Sequence, residues 1–229
     1  IIKNKCNVSS NNSSILDIGC GTGSLLKQFE EHGYHHVFGV DTSTQMVEHA
    51  QETLTRGEEF CNDILKDPLL YEKNTFSHIV CTHFTVYEIS DKEKLFRYCY
   101  SWLKLGGYLV IHVVDIENYN MIVPSSDLYS LVSMTTPQKR ITKSKIENMS
   151  GFDFFTNEYM FENEVPTKQI ETFKMGDKLR QNEKRLFMMP KSEIITLALN
   201  CGFRVYAEEP YTSIDSSQYL MIFVKNISL

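Results

Sequence analysis

The stretch Ile15-Leu16-Asp17-Ile18-Gly19-Cys20-Gly21-Thr22-Gly23 decides the fold, because a short apolar run leads directly into closely spaced glycines. This pattern predicts a buried strand, a tight turn and then a helix. Because glycine has no Cβ, the main chain of the turn can contact a ligand directly. A second, mostly apolar run, residues 36–40, is followed directly by Asp41, which lies 18 residues after Gly23. At the end of a parallel strand beside the turn, the Asp41 carboxylate can accept hydrogen bonds from both hydroxyls of a ribose.

The spacing of the glycines separates two classes of adenosine cofactor. Nicotinamide-binding proteins carry G-x-G-x-x-G, whereas residues 19–23 read G-x-G-x-G and Asp17 precedes them. The motif resembles the first motif of the class I S-adenosylmethionine-dependent methyltransferases, in particular those that act on small molecules. The turn Lys104-Leu105-Gly106-Gly107 before an apolar strand is a second feature shared with that family. The resemblance implies a Rossmann-like fold and S-adenosylmethionine as the cofactor.

The resemblance also implies a set of cofactor contacts along the chain. Asp17 orients the ammonium of the cofactor, Asp41 binds the ribose, and Asp63 with the next main-chain N–H reads the adenine. Purely structural roles remain open for these residues. Each carboxylate could instead cap a turn or a helix, and Met46 could belong to the core. The full set comprises Asp17, Gly19, Cys20, Gly21, Gly23, Asp41, Thr42, Met46, Asp63, Ile64, Thr82 and His83.

Composition limits the class of protein. A chain of 229 residues, 42% of them hydrophobic, is long enough for one α/β domain with an inserted subdomain. The net charge of -6 gives no general attraction to nucleic acid or to an anionic membrane surface. The 6 cysteines show no C-x-x-C spacing, which predicts reduced thiols, a cytoplasmic setting and no metal site. No apolar run approaches the ~20 residues that a membrane-spanning helix needs.

The order of strand and helix patterns predicts the architecture. These patterns alternate every ~20 to 25 residues through residues 1–115, as in βα units that build a parallel sheet. From 116 to 190 the rhythm breaks, and a polar stretch without a clear period precedes three expected antiparallel strands at 152–161, 168–175 and 183–189. A helix over 191–200 and two strands, at 203–208 and 218–225, complete the core within residues 191–229. The predicted fold is α/β, a Rossmann-like seven-stranded methyltransferase sheet with an antiparallel β insertion before the last helix.

Candidates for catalysis lie near the predicted carboxyl end of the sheet. Methyl transfer from a sulfonium needs the acceptor held at attack distance in a pocket that excludes water, and an amine acceptor must also lose a proton. His83 and Tyr87 follow the fourth strand, His112 lies inside the fifth, and Asp115 ends it. None of these residues matches a diagnostic catalytic motif. The structural alternative stays open, because a lone histidine is more often a packed or surface residue than a catalyst.

The inserted region is similar to that of small-molecule N-methyltransferases, including aminosugar and glycine N-methyltransferase-like enzymes. The sequence therefore predicts methyl transfer to N or O of a small polar molecule, such as an aminosugar or another amine. A basic cluster in this region could bind an anionic substrate or form a solvated face. The cluster comprises Lys139, Arg140, Lys143 and Lys145.

Other functions remain open at this point. The protein could methylate RNA or protein, although its acidic charge and the lack of a basic stripe weigh against RNA. It could also hold S-adenosylmethionine or its demethylated product, S-adenosylhomocysteine, as a regulatory ligand without catalysis. The insertion could form a homodimer, although no residue requires one.

Overall fold

The chain divides into two compact units, each with its own sheet. The computed structural model describes residues 6, 12–117, 143–149, 152–211 and 217–226. The first unit comprises residues 1–115 and 189–229, and the second comprises residues 116–188.

The first unit is built on a mostly parallel sheet. In its described part the strands are β1 (Ser14–Ile18), β2 (His36–Asp41), β3 (Glu58–Cys61), β4 (Phe76–Cys81), β5 (Leu103–Val114), β10 (Phe203–Pro210) and β11 (Gln218–Lys225). They form a 7-stranded sheet in the order β10-β11-β5-β4-β1-β2-β3. Strands β1 to β5 run parallel, whereas β11 pairs antiparallel with both β5 and β10. This order confirms the predicted Rossmann-like α/β fold.

Helices lie between the parallel strands, and a further helix precedes β10. They are α1 (Ser24–Glu31), α2 (Thr44–Thr53), α3 (Thr85–Glu88), α4 (Lys92–Trp102) and α5 (Lys191–Asn200). Two of them begin at side-chain caps: Ser43 accepts from the main-chain N–H of Met46, and Asp91 accepts from that of Lys94. Such caps satisfy main-chain donors that have no partner inside the helix, which fixes where the helix begins.

The central strands β1, β4 and β5 are buried on both faces. They read SILDI, FSHIVC and, over residues 109–114, LVIHVV. Near-continuous apolar runs are typical of parallel strands covered on both sides. The exceptions are therefore informative, because a buried polar side chain needs a partner or a function. Asp17 is 3% exposed, His112 is 2% exposed and His78 is 4% exposed.

The second unit is an antiparallel sheet in the order β6-β7-β8-β9, formed by β6 (Lys143–Met149), β7 (Phe152–Glu162), β8 (Val165–Met175) and β9 (Lys178–Arg185). An antiparallel insertion before the last helix is thus confirmed, but the number and bounds of its strands differ from the expectation. Strand β6 was expected to be irregular, and the last strand lies at 178–185 instead of 183–189. The reason is that β9 reads KLRQNEKR on the edge of the sheet, where it is exposed along nearly its whole length and shows no apolar alternation.

Candidate functional site

The glycine turn is tied to the end of the neighbouring strand. The main-chain N–H groups of Gly19 and Cys20 donate to the carbonyl oxygen of Val40 at 2.8 and 3.2 Å. The N–H of Gly23 donates to the carbonyl of Cys20 at 2.9 Å, which closes the turn before α1. These bonds place the turn beside the last residue of β2, Asp41.

Asp41 joins two main-chain segments through its carboxylate. Its Oδ2 accepts from the N–H of Gly21 at 2.9 Å, and its Oδ1 accepts from the N–H of Ser43 at 2.9 Å. An ionised carboxylate has about four acceptor positions, so each oxygen keeps one for a ligand. The cap of α2 is Ser43 and not Asp41, which removes the simplest structural explanation for an acid here.

The three glycines of the turn share a positive φ, of 73°, 53° and 77°, and differ in what surrounds them. A Cβ on Gly19 would lie 2.6 Å from Oγ1 of Thr85, and a Cβ on Gly23 would lie 2.9 Å from Cδ1 of Leu54. A Cβ on Gly21 would meet no described protein atom within 4 Å. Protein packing therefore accounts for Gly19 and Gly23, whereas the open face of Gly21 is where a ligand can approach the main chain.

Asp17 is a buried carboxyl group next to this turn. Burial, followed by the negative charge of Asp41, raises its pKa from 3.8 to about 8. Both causes disfavour the ionised form, and a cation placed nearby would favour it. The pair Asp17 and Asp41 is therefore suited to a ligand that brings a positive charge close to Asp17.

The other predicted cofactor residues have varied surroundings. Asp63 caps a turn: its Oδ1 accepts from the N–H of Leu65 at 3.0 Å, and its Oδ2 lies 3.3 Å from Nζ of Lys66. Ile64 is buried at 6% exposure, whereas Met46 is 36% exposed and is not a core residue. Among the remainder, Thr42 is exposed, Thr82 is half-buried and Cys20 is buried. Burial raises the pKa of the Cys20 thiol to about 12, so this cysteine is a packing group.

The segment after β4 has an unusual backbone. His83 and Phe84 have φ values of 52° and 73°, so two successive non-glycine residues are left-handed. Each such residue costs roughly 1 to 2 kcal/mol. Nothing in the sequence indicates this conformation, which persists only where surrounding contacts hold it. Thr85 follows directly and packs against Gly19, so the segment lies next to the glycine turn.

A cluster of rings brings two of the predicted catalytic residues together. The ring of Tyr211 stacks on that of His112, with centroids 4.2 Å apart, and its hydroxyl lies 3.3 Å from Nδ1 of His83. Phe84 meets His112 edge-on at 5.3 Å. On the other side, Nε2 of His112 donates to Oε1 of Gln218 at 3.0 Å. His83 is exposed and Tyr211 is half-buried, so the cluster reaches from the core to the surface.

Sequence reasoning missed Tyr211, Phe84 and Gln218. Tyr211 follows β10 directly and Gln218 begins β11, which pairs with the end of β5. The signal that could have indicated them is this antiparallel hairpin at the carboxyl end of β5. Polar and aromatic residues that border such a hairpin are brought to the same edge as the end of β4.

Tyr87 and Asp115 lie at the end of β5, and the ring of Tyr87 lies 5.6 Å from that of Phe84 in the ring cluster. Tyr87 is fully buried, its hydroxyl accepts from the N–H of Val114 at 3.0 Å, and burial raises its pKa to about 12. This hydroxyl supports the end of β5 and has no exposed surface to offer a substrate. Asp115 is half-buried and its N–H donates to the carbonyl of Ser217 at 2.8 Å, so it marks the same strand end.

The basic cluster of the insertion is described only in part. Lys139 and Arg140 lie outside the described residues. Nζ of Lys143 lies 2.8 Å from Oε2 of Glu158, and Nζ of Lys145 lies 2.5 Å from Oε1 of Glu147. Both described lysines of the cluster are therefore paired with a glutamate of the second sheet.

Two further findings concern metals and membranes. Within the described ranges, no group of three or more His, Cys, Asp and Glu side chains could hold a metal ion. No helix in that part of the chain is long and apolar enough to cross a membrane.

Comparison with known proteins agrees with this geometry. Residues 15–107 match a family model described as a methyltransferase domain. Over 110 residues the chain is 31% identical to phosphoethanolamine N-methyltransferase of Plasmodium falciparum (isolate 3D7). That match covers 44% of this chain and 38% of the relative, so the chain spans less than half of the curated protein that it resembles.

Solved structures share the fold over nearly the whole chain. An S-adenosylmethionine-dependent methyltransferase from Clostridium acetobutylicum ATCC 824 superposes with a TM-score of 0.75 and 16% identity, covering 99% of this chain and 89% of that one. An amino pentose methyltransferase from Micromonospora echinaspora, solved with S-adenosylmethionine bound, gives a TM-score of 0.61 and 15% identity, with coverages of 94% and 84%. At this level of identity the likeness establishes a common fold.

Proposed function

We propose that this chain is a class I S-adenosylmethionine-dependent methyltransferase that transfers a methyl group from S-adenosylmethionine to N or O of a small polar molecule. The observation that carries the proposal is the glycine turn, where Gly21 presents an open main-chain face beside the Asp41 carboxylate. The match of residues 15–107 to a methyltransferase domain supports it.

The residues of the turn fit the polar parts of S-adenosylmethionine. Asp41 keeps one acceptor position on each oxygen, enough for two ribose hydroxyls. Asp17 supplies a buried carboxyl that a neighbouring ammonium would ionise, and Gly21 leaves room for the methionine portion. When bound, the cofactor supplies a methyl group that its sulfonium has already activated.

The remaining cofactor contacts are proposals of the same kind. Asp63 keeps acceptor capacity beyond its turn, as Asp41 does, and Ile64 follows it shortly after β3. Met46 is exposed enough to cover a ligand. The other proposed contacts, Gly19, Cys20, Gly23, Thr42, Thr82 and His83, line the turn and the ends of β2 and β4.

The chain's own part in the chemistry is to hold the acceptor and to remove its proton. We assign the proton to Nε2 of His83, because His83 is the exposed histidine of the ring cluster and its segment adjoins the glycine turn. An amine acceptor must be neutral to attack, so Nε2 of the imidazole takes the ammonium proton before the nitrogen is methylated. His112 and Asp115 border the same edge, and Tyr87 keeps the end of β5 in place.

The acceptor is proposed as a small polar amine or hydroxyl compound. Two neighbours point to amines, since one relative is named for phosphoethanolamine and one structural neighbour for an amino pentose. An anionic acceptor such as a phosphorylated amine is compatible with the first name, and an aminosugar with the second.

The experiment is transfer of labelled methyl from S-adenosylmethionine into an extract of source cells, separated into metabolite, protein and nucleic-acid pools. We expect label in the metabolite pool, and less label with Asp41→Asn. Label in a polymer pool would overturn the small-molecule acceptor. Intact cofactor binding without any label would replace catalysis with a regulatory binding function.

Two further properties are proposed from the cysteines and from the second sheet. Free cysteines, with Cys20, Cys81 and Cys99 buried, suit a reducing cytoplasm. The second property is a homodimer, which is compatible with an exposed second sheet. Sedimentation of the purified protein measures the oligomeric state.

A further inference from the structure

Tyr211 contacts both histidines of the ring cluster, although it lies 128 residues after His83. Its ring stacks on His112 at 4.2 Å with an interplanar angle of 20° and meets His83 edge-on at 6.2 Å. Its hydroxyl is 3.3 Å from Nδ1 of His83. One side chain therefore connects the end of β4 to the interior of β5.

The backbone of Tyr211 is itself held in place. Its N–H donates to the carbonyl of Gln218 at 2.9 Å, and the side chain of the same glutamine accepts from Nε2 of His112. Two independent bonds thus anchor the tyrosine and the ring on which it stacks. Such anchoring matters because His83 sits at a positive φ that needs surrounding contacts to persist.

The direction of the hydrogen bond with Tyr211 decides which nitrogen of His83 carries the proton. Among the described residues, Tyr211 is the only hydrogen-bond partner of the His83 ring, and it bonds Nδ1. A tyrosine hydroxyl can accept as well as donate. If it accepts from Nδ1–H, Nε2 is left with a lone pair, the state that a base requires. If it donates, Nε2 carries hydrogen and cannot take a proton.

We infer that Tyr211 is a positioning residue for His83: its hydroxyl oxygen accepts from Nδ1–H and its ring, stacked on His112, holds that oxygen in place. His83 Nε2 then receives the proton from the acceptor nitrogen while Nδ1 keeps its own. The inference rests on the proposed function, because a base at Nε2 is what requires hydrogen on Nδ1; the tautomer itself can be measured without turnover.

The tautomer is tested by ¹⁵N NMR of the histidine ring at alkaline pH, where the ring is neutral. We expect Nδ1–H in the wild type and a shift away from it in Tyr211→Phe, because phenylalanine keeps the stacked ring and removes only the hydroxyl. Tyr206→Phe is the matched control, since Tyr206 lies in β10 and contacts Tyr108, far along β5 from His112. An Nε2–H tautomer in the wild type, or no change in Tyr211→Phe, would overturn the inference.

The catalytic part is tested by kinetics of the same variants. In Tyr211→Phe we expect kcat to fall about ten-fold, the effect of losing about one orienting hydrogen bond, with cofactor affinity and KM unchanged within about two-fold. In a His83→Ala background, Tyr211→Phe should have no further effect on kcat, because the tyrosine acts through the histidine. A full additional loss in that background would contradict the inference.

The two proposals fail in different ways. A wild type that transfers no methyl overturns the proposed function, and the NMR result still decides the tautomer. An active wild type with equal kcat in Tyr211→Phe overturns the positioning function of Tyr211 alone.

Discussion

The two units of the chain use their polar residues differently. In the first unit, carboxylates at strand ends organise the main chain, as Asp41 does for Gly21 and Ser43. In the second unit, the charged side chains pair with one another on an exposed sheet, as Lys143 does with Glu158. The difference indicates that single residues of the first unit carry large energetic effects, whereas those of the second unit are individually replaceable.

The largest expected effect is that of adding one methyl group to the glycine turn. Gly19→Ala places a Cβ against Thr85 at φ 73°, so we expect a loss of about 2 to 4 kcal/mol and of cofactor binding. Gly176→Ala in the second unit also has a positive φ, of 57°, but meets no described atom within 4 Å. That control should lose only about 1 to 2 kcal/mol.

Urea denaturation measures the free energy of unfolding of the Gly19→Ala and Gly176→Ala variants. The single tryptophan, Trp102, is buried in α4 and reports the first unit by fluorescence, while amide hydrogen exchange reports the second. Equal losses at Gly19 and Gly176 would show that the close approach of Thr85 has no energetic consequence.

The next effect concerns the ribose site. Asp41→Asn keeps the shape of the side chain and weakens its acceptors, so cofactor affinity should fall ten-fold or more, about 1.5 to 3 kcal/mol. The control is Asp67→Asn, because Asp67 likewise accepts from the N–H two residues later, at 3.0 Å, but in an exposed turn. Calorimetric titration with the cofactor measures both variants. An unchanged affinity in folded Asp41→Asn would remove the ribose assignment.

A pH effect follows from Asp17. Its pKa of about 8 leaves it mostly protonated at neutral pH, and the ammonium of the cofactor needs the ionised form. Binding should therefore release close to one proton, and affinity should rise by up to about ten-fold per pH unit until pH passes the raised pKa. Titrations in buffers of different ionisation enthalpy count the proton. In Asp17→Asn this pH dependence should vanish, and its persistence would place the linked proton on another group.

The smallest effect is expected in the second unit. Nζ of Lys168 lies 2.9 Å from Oε2 of Glu183, and the two side chains are 43% and 52% exposed. Exposed ion pairs contribute about 0.2 to 1 kcal/mol, so Lys168→Ala should change stability no more than that and leave cofactor affinity unchanged. Hydrogen exchange of β8 and β9 measures the loss. A loss several times larger would show that this pair organises the second sheet as Asp41 organises the turn.

Sequence patterns were sufficient where burial imposes a period. The helix Lys191–Asn200 and the strand Gln218–Lys225 were predicted with their observed bounds, because apolar spacing and a following glycine or polar turn define them. Strand β9 could not be predicted in the same way. Its residues KLRQNEKR are held by pairing with β8 at a sheet edge, and main-chain pairing leaves no mark on the side-chain pattern.

The site was predictable where local chain geometry sets it. Gly21 and Asp41 meet because two adjacent parallel strands end together, which follows from their spacing. The contact of Tyr211 with His83 depends instead on closure of the hairpin β10–β11 against β5, across most of the chain. The positive φ of His83 and Phe84 depends on those same tertiary contacts, so neither feature has a local signal.

The most direct test of the central claim is a structure of the protein with S-adenosylhomocysteine. The account predicts the ligand across the open face of Gly21, with both ribose hydroxyls bonded to Asp41 and the ammonium beside Asp17. A ligand bound elsewhere, or one whose ribose does not touch Asp41, would contradict it.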